Sequence, residues 1–386
     1  MRIMKKDIKK TRIPKGIELL KLLLFFFYNF SYVLFKEGYI PQSINLVLLV
    51  VFIGICVLQY LHVNHWKWYI HDFFSHEIYL ILFTCFVIAV ISLGIQIKNG
   101  NICGYMFSGI LHIVLPIIAV FFWIHTVKEE HRDLYFEVFV LRFIFHFLLI
   151  GSGNFSLSNI LAISWFDSKS SVFESSNAHD LLFLVFYYKY RKKNLIAFVC
   201  MVLCMLSLKR LSFILAPLVF IFFKRLPDKP VSKWLLRATK VLFICSPFFY
   251  LFLMSDSVDH YFIQHFNISL NQFMTGRLSL AKIIISRPEI LNGYDSTTYY
   301  LMHNGFVSTN MHCDVLKMYL EVSIVSLIVL INNIFEIVKK DFRLYLIMMY
   351  TGIVLISSHF LDYISGWIII YMIVACVYYD KVKSDF

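Results

Sequence analysis

Long apolar runs separated by short polar segments constrain this chain more than any other feature. A helix that crosses a bilayer needs about 20 mostly apolar residues, and runs near that length recur from residue 18 towards the C-terminus. Hydrophobic residues make up 59% of the 386 residues and charged residues only 16%, whereas soluble domains carry about 25% charged residues. The sequence therefore predicts an all-α polytopic membrane protein with a single integral membrane domain over residues 1–386.

Twelve segments have the length and composition expected of membrane helices. Several are short, and the pair 194–224 is interrupted only by the residues SLKR at 207–210, so ten or eleven spans are the alternative. The predicted helices are 18–36, 43–62, 77–97, 104–125, 134–152, 179–190, 194–208, 211–224, 236–254, 314–337, 343–359 and 362–379.

The Lys and Arg residues indicate how these helices are oriented. The net charge is +12, and most of it lies in short loops between apolar runs. Because cytoplasmic loops carry an excess of Lys and Arg, the pattern predicts that both termini are cytoplasmic, and it gives no reason to expect a nucleic-acid partner. The predicted internal loop 126–133 (VKEEHRDL) is mixed in charge and fits this orientation less well.

The longest segment without a spanning helix is 255–313, which this topology places on the external side. It contains Arg277, the turn PEILNG, and two histidines, His303 and His312. Ionisable groups near a membrane bundle usually mark a functional site. We therefore predict one large external loop that contains short helices and carries the chemistry.

Arg277 begins a helix-like run, with Thr275 as its predicted cap and Pro288 near its end. The helix dipole disfavours a cation there. An anion bound at the same helix N-terminus would be held by both the backbone N–H groups and the guanidinium. Arg277 is therefore a candidate phosphate ligand, and the alternative is an arginine that reaches lipid headgroups.

Lys209 and Arg210 break the charge pattern, because the topology places them in a short external loop. A cation at membrane depth costs roughly 2.5–3.5 kcal/mol, so we interpret the two as facing an anionic substrate. The alternative is that the helix count is wrong and that this loop is cytoplasmic.

His312 is predicted in the first turn of the helix that enters the membrane, with Thr309 or Asn310 as its cap. The helix dipole opposes a charged imidazole there, and a neutral histidine can accept a proton. His312 is therefore the candidate base, and His303 is its competitor.

Asp314, Lys317 and Glu321 follow at spacings of three and four, which places them on one helical face. They should face the bundle interior or an aqueous cavity, and a structural ion-pair network is the alternative. Glu174 and Asn177 precede the short helix 179–190; Glu174 is a further candidate carboxylate, and Asn177 is a supporting residue or a helix cap.

The segments TGRLSLAKIIISRPEILNGYD and HNGFVSTNMHCDVLKMYLEVSIVSL together resemble the bacterial O-antigen polymerase and ligase superfamily, whose polymerases are of the Wzy type. FESSNAHDLL and LSLKRLSFILAPL are weaker echoes of the same family. The departures are Cys313 in place of Asn, Ser323 and Asp295 in place of Gly, and Lys169 in place of Arg. They fit a divergent polymerase better than a ligase.

The resemblance implies a GT-C-like membrane glycosyltransferase that needs no metal or other cofactor. Its donor and acceptor would be oligosaccharides linked to undecaprenyl diphosphate, polymerised on the external face of the bacterial cytoplasmic (inner) membrane into O-antigen, capsule or exopolysaccharide. Membrane lipids and a chain-length regulator protein are the other expected partners.

The expected site then has two parts, one for the diphosphate and one for proton transfer. The diphosphate would be bound by Arg210, Arg277 and Lys209. The catalytic residues would be His312, Glu174 and Asp314, supported by His303, Lys317, Glu321 and Asn177.

Two other functions are weighed against polymerisation. An O-antigen ligase would share the fold and the donor but transfer the glycan to lipid A-core. A lipid-linked oligosaccharide flippase or other transporter would spread charges through many helices and show internal symmetry. Here the charges concentrate in one loop and the sequence has no internal repeat, which favours the enzyme.

Overall fold

The computed structural model describes residues 15–64, 74–151, 177–207, 209–274, 276–306 and 311–384. These residues form helices and no β-strand, which confirms the predicted all-α class. In chain order the helices are α1 (Lys15–Lys36), α2 (Gln42–Val63), α3 (Ser75–Lys98), α4 (Tyr105–Thr126), α5 (Arg132–Gly151), α6 (Asn177–Tyr190), α7 (Asn194–Leu206), α8 (Arg210–Phe222), α9 (Lys233–Leu253), α10 (Asp256–Phe266), α11 (Leu270–Phe273), α12 (Arg277–Ile285), α13 (Ser296–His303), α14 (Asp314–Glu321), α15 (Ile324–Val338), α16 (Phe342–Ser357) and α17 (Ile364–Ser384).

Six of these helices are long and apolar enough to cross a membrane, namely α1, α2, α3, α4, α9 and α17. Helices α7, α15 and α16 are apolar but shorter. This set of apolar helices agrees with a helical membrane protein.

The predicted helix 314–337 is wrong in one respect, because the structure divides it into α14 and α15. Ser323 interrupts the helix in an extended conformation, and its hydroxyl accepts a hydrogen bond from the N–H of Ser326 at 3.3 Å. A hydroxyl in this position is an N-cap, which allows a new helix to begin. The ionisable residues of α14 are thus carried on a short separate helix.

Ion pairs between helix ends gather the basic loops at one end of the molecule, which we call the basic end. Lys193 contacts Asp133 at 2.9 Å, and Lys383 contacts Glu129 at 2.9 Å. These two pairs explain the mixed charge of the loop 126–133, since its acidic residues neutralise basic residues from neighbouring loops.

The described residues of the segment 255–313 lie at the opposite end, which we call the loop end: Asn292 contacts Asn99 after α3, whereas Glu77 at the start of α3 pairs with Lys340 at the basic end. The residue after the turn PEILNG of this segment contacts α3: the N–H of Tyr294 donates to the hydroxyl of Ser92 at 3.0 Å. Gly293 has a φ of +89°, and a Cβ there would lie 3.1 Å from the carbonyl oxygen of Ser92. Glycine therefore permits both the turn and its close approach to α3.

Helices α6 and α17 form the centre of the bundle. Residues 178–188 of α6 and residues 364–378 of α17 are buried throughout. With 14 residues, α6 is about 21 Å long, shorter than the hydrocarbon core of about 30 Å. Its neighbours surround it, so α6 depends on packing against protein rather than on its own apolar length.

Candidate functional site

The loop between α16 and α17, residues 358–363, is the part of the loop end that several other elements contact. Helices α6, α12 and α14 and the turn before α13 all contact this loop or the residue before it. Gly366 allows the loop to fold back on α17, because a Cβ there would lie 2.5 Å from the ring of Phe360. We call these residues the α16–α17 loop.

Asp314 joins α14 to the α16–α17 loop. Its Oδ2 accepts hydrogen bonds from the backbone N–H groups of Phe360 at 2.5 Å and Leu361 at 2.6 Å, and its Oδ1 lies 3.1 Å from Nδ1 of His359. Hydrogen bonds to an ionised carboxylate are short and strong. Both oxygens of Asp314 are therefore engaged in holding the loop.

Lys317 lies one turn after Asp314 on the same face of α14 and is surrounded by polar side chains. Its Nζ lies 2.7 Å from Asp295 and 3.3 Å from Asp362, and it donates to the hydroxyl of Thr298 at 2.8 Å. Despite burial, the nearby charge of Lys317 and that of His359 lower the pKa of Asp362 to about 2. Asp362 is therefore ionised at neutral pH.

Glu321 completes this face of α14. Its carboxylate accepts hydrogen bonds from the backbone N–H groups of Asp295 at 2.7 Å and Thr297 at 2.8 Å, and from the hydroxyl of Thr297. Asp314, Lys317 and Glu321 are all buried. The prediction that they share one face directed into the protein is confirmed.

His312 does not lie in the first turn of a helix, so that prediction is wrong. Cys313 precedes α14 in an extended conformation with φ −158°, and its N–H donates to the carbonyl oxygen of Met311 at 2.8 Å. Helix α14 therefore begins only at Asp314. Thr309 and Asn310, the predicted caps, lie outside the described residues.

The neutral state of His312 has a different cause from the helix dipole. Burial, followed by the positive charges of Arg277 and His359, lowers the pKa of His312 to about 4. Lys209 acts in the same direction, and only Asp314 opposes them. His312 is therefore a neutral imidazole among cations at physiological pH.

Arg277 is the first residue of α12, as predicted, but the residue before it is Gly276 with φ +79°. The predicted cap, Thr275, lies outside the described residues. The guanidinium of Arg277 donates to the carbonyl oxygen of Ser357, at the end of α16. Arg277 thus lies against the α16–α17 loop, which explains why its charge acts on His312.

Lys209 approaches the same loop from the turn between α7 and α8. Its Nζ lies 3.3 Å from Nε2 of His179, whose ring packs edge-on against Phe360 with centroids 5.9 Å apart. Lys209 therefore lies at the loop end and not at the basic end. Arg210 begins α8 beside it, and its side chain is outside the described part of the structure.

His303 lies elsewhere, on the exposed face of α13. Its Nδ1 lies 2.8 Å from the carbonyl oxygen of Tyr299 in the same helix, and its ring lies tilted against that of Tyr299 with centroids 4.0 Å apart. Of the two candidate bases, the structure thus brings His312 to the α16–α17 loop. Glu174 lies outside the described residues, and Asn177 begins α6 with its side chain also outside them.

Several residues of the site were missed from the sequence. His359 and Asp362 lie in SSHFLDY, where the only signal is a polar His-x-x-Asp spacing between two apolar runs. A second missed feature anchors the α16–α17 loop to the bundle. Arg142 of α5 pairs with Asp180 of α6, and Tyr363 of the loop donates to the same carboxylate. A lone Arg inside an apolar run was the available signal for this pair.

Comparison with known proteins finds no family model, no curated protein and no solved structure that matches this chain. Within the described ranges, no group of three or more His, Cys, Asp or Glu side chains is placed to hold a metal ion. The functional assignment therefore depends on the chemistry of the loop end together with the resemblance in sequence.

Proposed function

We propose that the chain is a Wzy-type polysaccharide polymerase, a membrane glycosyltransferase that joins saccharide repeat units linked to a lipid diphosphate. The observation that carries this proposal is the approach of Arg277 and Lys209 to the α16–α17 loop, where burial and their positive charges lower the pKa of His312. A proton acceptor beside two cations is the arrangement required to deprotonate a sugar hydroxyl while a diphosphate leaves.

The cations have the chemistry that a diphosphate leaving group requires. Negative charge develops on the diphosphate as the glycosidic bond breaks, and fixed positive charges near it lower the energy of that transition state. The guanidinium of Arg277 can hold two phosphate oxygens at once, whereas Lys209 supplies a point charge. Cationic side chains can neutralise the diphosphate without a metal ion, as the resemblance also implies.

Substrate binding would also raise the pKa of His312. A base with a pKa near 4 is a weak proton acceptor at neutral pH, because the best general bases have pKa values near the working pH. A bound diphosphate would offset the positive charges of Arg277 and Lys209 and so raise the pKa of His312. The base would then become effective only when the donor is in place.

The proposed topology has twelve spans of a GT-C-like fold in the bacterial inner membrane, with both termini in the cytoplasm. It is supported by the separation of the basic loops from the segment 255–313, because basic loops face the cytoplasm. A reporter fused at residue 290 should give an external signal. A cytoplasmic signal at that position would contradict the topology and, with it, the external site.

The function is tested by polysaccharide display in the host strain that lacks this protein, complemented with variants. Arg277→Ala and His312→Ala should each reduce full-length polymer by about 100-fold or more. The matched controls are Arg287→Ala, exposed in the same segment, and His265→Ala on α10, whose ring contacts only its own helix among the described residues. Normal polymer from both test variants at wild-type membrane levels would contradict the proposal.

The same strains separate polymerase from ligase. Loss of a polymerase leaves single repeat units on the cell surface, since transfer of the glycan still occurs. Loss of a ligase leaves long chains on the lipid carrier and none on lipid A-core. We expect single repeat units from His312→Ala; accumulation of long lipid-linked chains would instead assign the ligase reaction.

A further inference from the structure

The imidazole of His359 is held between two carboxylates. Its Nδ1 lies 3.1 Å from Oδ1 of Asp314, and its Nε2 lies 3.5 Å from Oδ2 of Asp362. A neutral imidazole carries one N–H and one lone pair, whereas the charged form has N–H groups on both nitrogens. A neutral ring would direct a lone pair at one of the two carboxylates, so the geometry favours the charged form.

Neither carboxylate is free to turn away from the ring. Asp314 is fixed by the two backbone N–H groups of the α16–α17 loop. Asp362 is fixed by Lys317 and by the hydroxyl of Tyr294, which donates to its other oxygen at 2.7 Å. His359 therefore meets two acceptors whose positions are set by other parts of the fold.

The charges around His359 come from several elements. Lys317 on α14, His112 on α4 and His312 ahead of α14 also face it. Burial and Lys317 disfavour a charge on His359, but the two aspartates in contact with the ring outweigh them and raise its pKa. The raised pKa of His359 agrees with the hydrogen-bond geometry, because both favour the charged imidazole.

We propose that His359 is a positioning residue that stays positively charged at neutral pH, binds the start of α14 to the α16–α17 loop, and contributes to the neutral state of His312. This inference rests on the proposed function, in which His312 is the base. His359 does not itself touch the substrate; it acts through the state of His312 and through the loop that also receives Arg277.

The pH profile of polymer formation tests the electrostatic part. Membranes of the host strain, with their endogenous lipid-linked repeat units, are assayed from pH 4.5 to 8. His359→Gln removes a positive charge beside His312, so His312 gains its proton at higher pH and the acid limb should move up by about half a pH unit or more. His359→Arg, which keeps the charge, should leave the limb near its wild-type position.

The control is His265→Gln, an exposed histidine on α10. It reports any effect of replacing a histidine remote from the α16–α17 loop. If the acid limb of His359→Gln coincides with that of the wild type, His359 does not set the state of His312, and the inference fails. The proposed function would still stand in that case, because it depends on the loss of activity in His312→Ala.

A second measurement needs no activity. The full-length protein, labelled with 15N-histidine and placed in lipid nanodiscs, is examined by NMR at pH 7.5. The signals missing from His359→Arg identify His359, and we expect both of its ring nitrogens to be protonated. A single protonated nitrogen, the mark of a neutral ring, would overturn the inference even if every activity assay agreed with it.

Discussion

Two lysines at opposite ends of the molecule make the same kind of contact in different surroundings. Lys317 at the loop end and Lys381 at the basic end each contact two aspartates within 3.3 Å. The side chain of Lys317 is 1% exposed, whereas that of Lys381 is 29% exposed. The aspartates are Asp295 and Asp362 for Lys317, and Asp228 and Asp341 for Lys381.

The difference shows that the two ends use charge for different purposes. Ion pairs in contact with water contribute little to stability, because solvent screens them and their side chains remain free to move. Ion pairs removed from water carry a desolvation cost, and a buried charge that loses its partner is strongly destabilising. Loss of Lys381 leaves Arg343 paired with both Asp228 and Asp341, whereas loss of Lys317 removes the lysine that Asp295 and Asp362 share.

Lys317→Met should have the largest effect. It leaves the largely enclosed carboxylates of Asp295 and Asp362, 16% and 11% exposed, without their shared cation, so we expect the free energy of unfolding to fall by about 3–5 kcal/mol. The matched variant Lys381→Met should cost about 1 kcal/mol or less, since Arg343 still contacts Asp341 and Asp228. Thermal unfolding of the purified full chain in detergent compares the two, and equal losses would show that burial does not distinguish the ends.

A smaller difference in stability loss is expected between variants of two glutamates, Glu321 at the loop end and Glu336 at the basic end. Glu321→Gln replaces one carboxylate oxygen with an amide that faces N–H donors of the turn before α13, and we expect a loss of about 1–3 kcal/mol. Glu336 at the basic end pairs with Lys240 and Lys339 and is 26% exposed, so Glu336→Gln should cost about 1 kcal/mol or less. The same unfolding assay applies, and a larger loss for Glu336→Gln would reverse the comparison.

The sequence was sufficient to predict most of the helical segments because those depend on local composition, but it missed the break at Ser323 and the start of α14 at Asp314. The apolar runs gave the helical segments, and the spacing of Asp314, Lys317 and Glu321 gave their shared face. The end of the molecule at which a loop lies depends on its content of Lys and Arg and on the alternating direction of successive helices. Both can be read along the chain. These predictions need no knowledge of which helices are neighbours.

The site itself was only partly predictable, because its contacts join residues far apart in sequence. Arg277 meets Ser357, and Asp314 meets residues 359–361, across the bundle. The sequence near His359 contains one of its two carboxylates, Asp362, but nothing there indicates the second, Asp314. His312 was selected for a place in the first turn of a helix that it does not occupy, and its lowered pKa is due to burial and to cations from other elements.

The smallest expected effect is a pH dependence of the stability of the folded protein, caused by His312 at the loop end. His312 has a pKa near 4 in the folded protein and about 6.5 when unfolded. As the pH falls through 6.5 the unfolded chain takes up a proton that the folded protein refuses until about pH 4, so stability decreases across that window. Asp362, with its pKa near 2, adds a loss only below about pH 4.

His312→Gln removes this contribution without a large change in side-chain volume. At pH 7.5 its unfolding temperature should be close to that of the wild type, because His312 is neutral in both states of the protein. At pH 4.5 the variant should be the more stable protein by on the order of 1 kcal/mol. Parallel curves for the two proteins from pH 7.5 to 4.5 would mean that His312 titrates alike in both states. Neither burial nor the cations of the loop end would then act on His312, and the contrast with the more exposed Lys381 at the basic end would no longer extend to this residue.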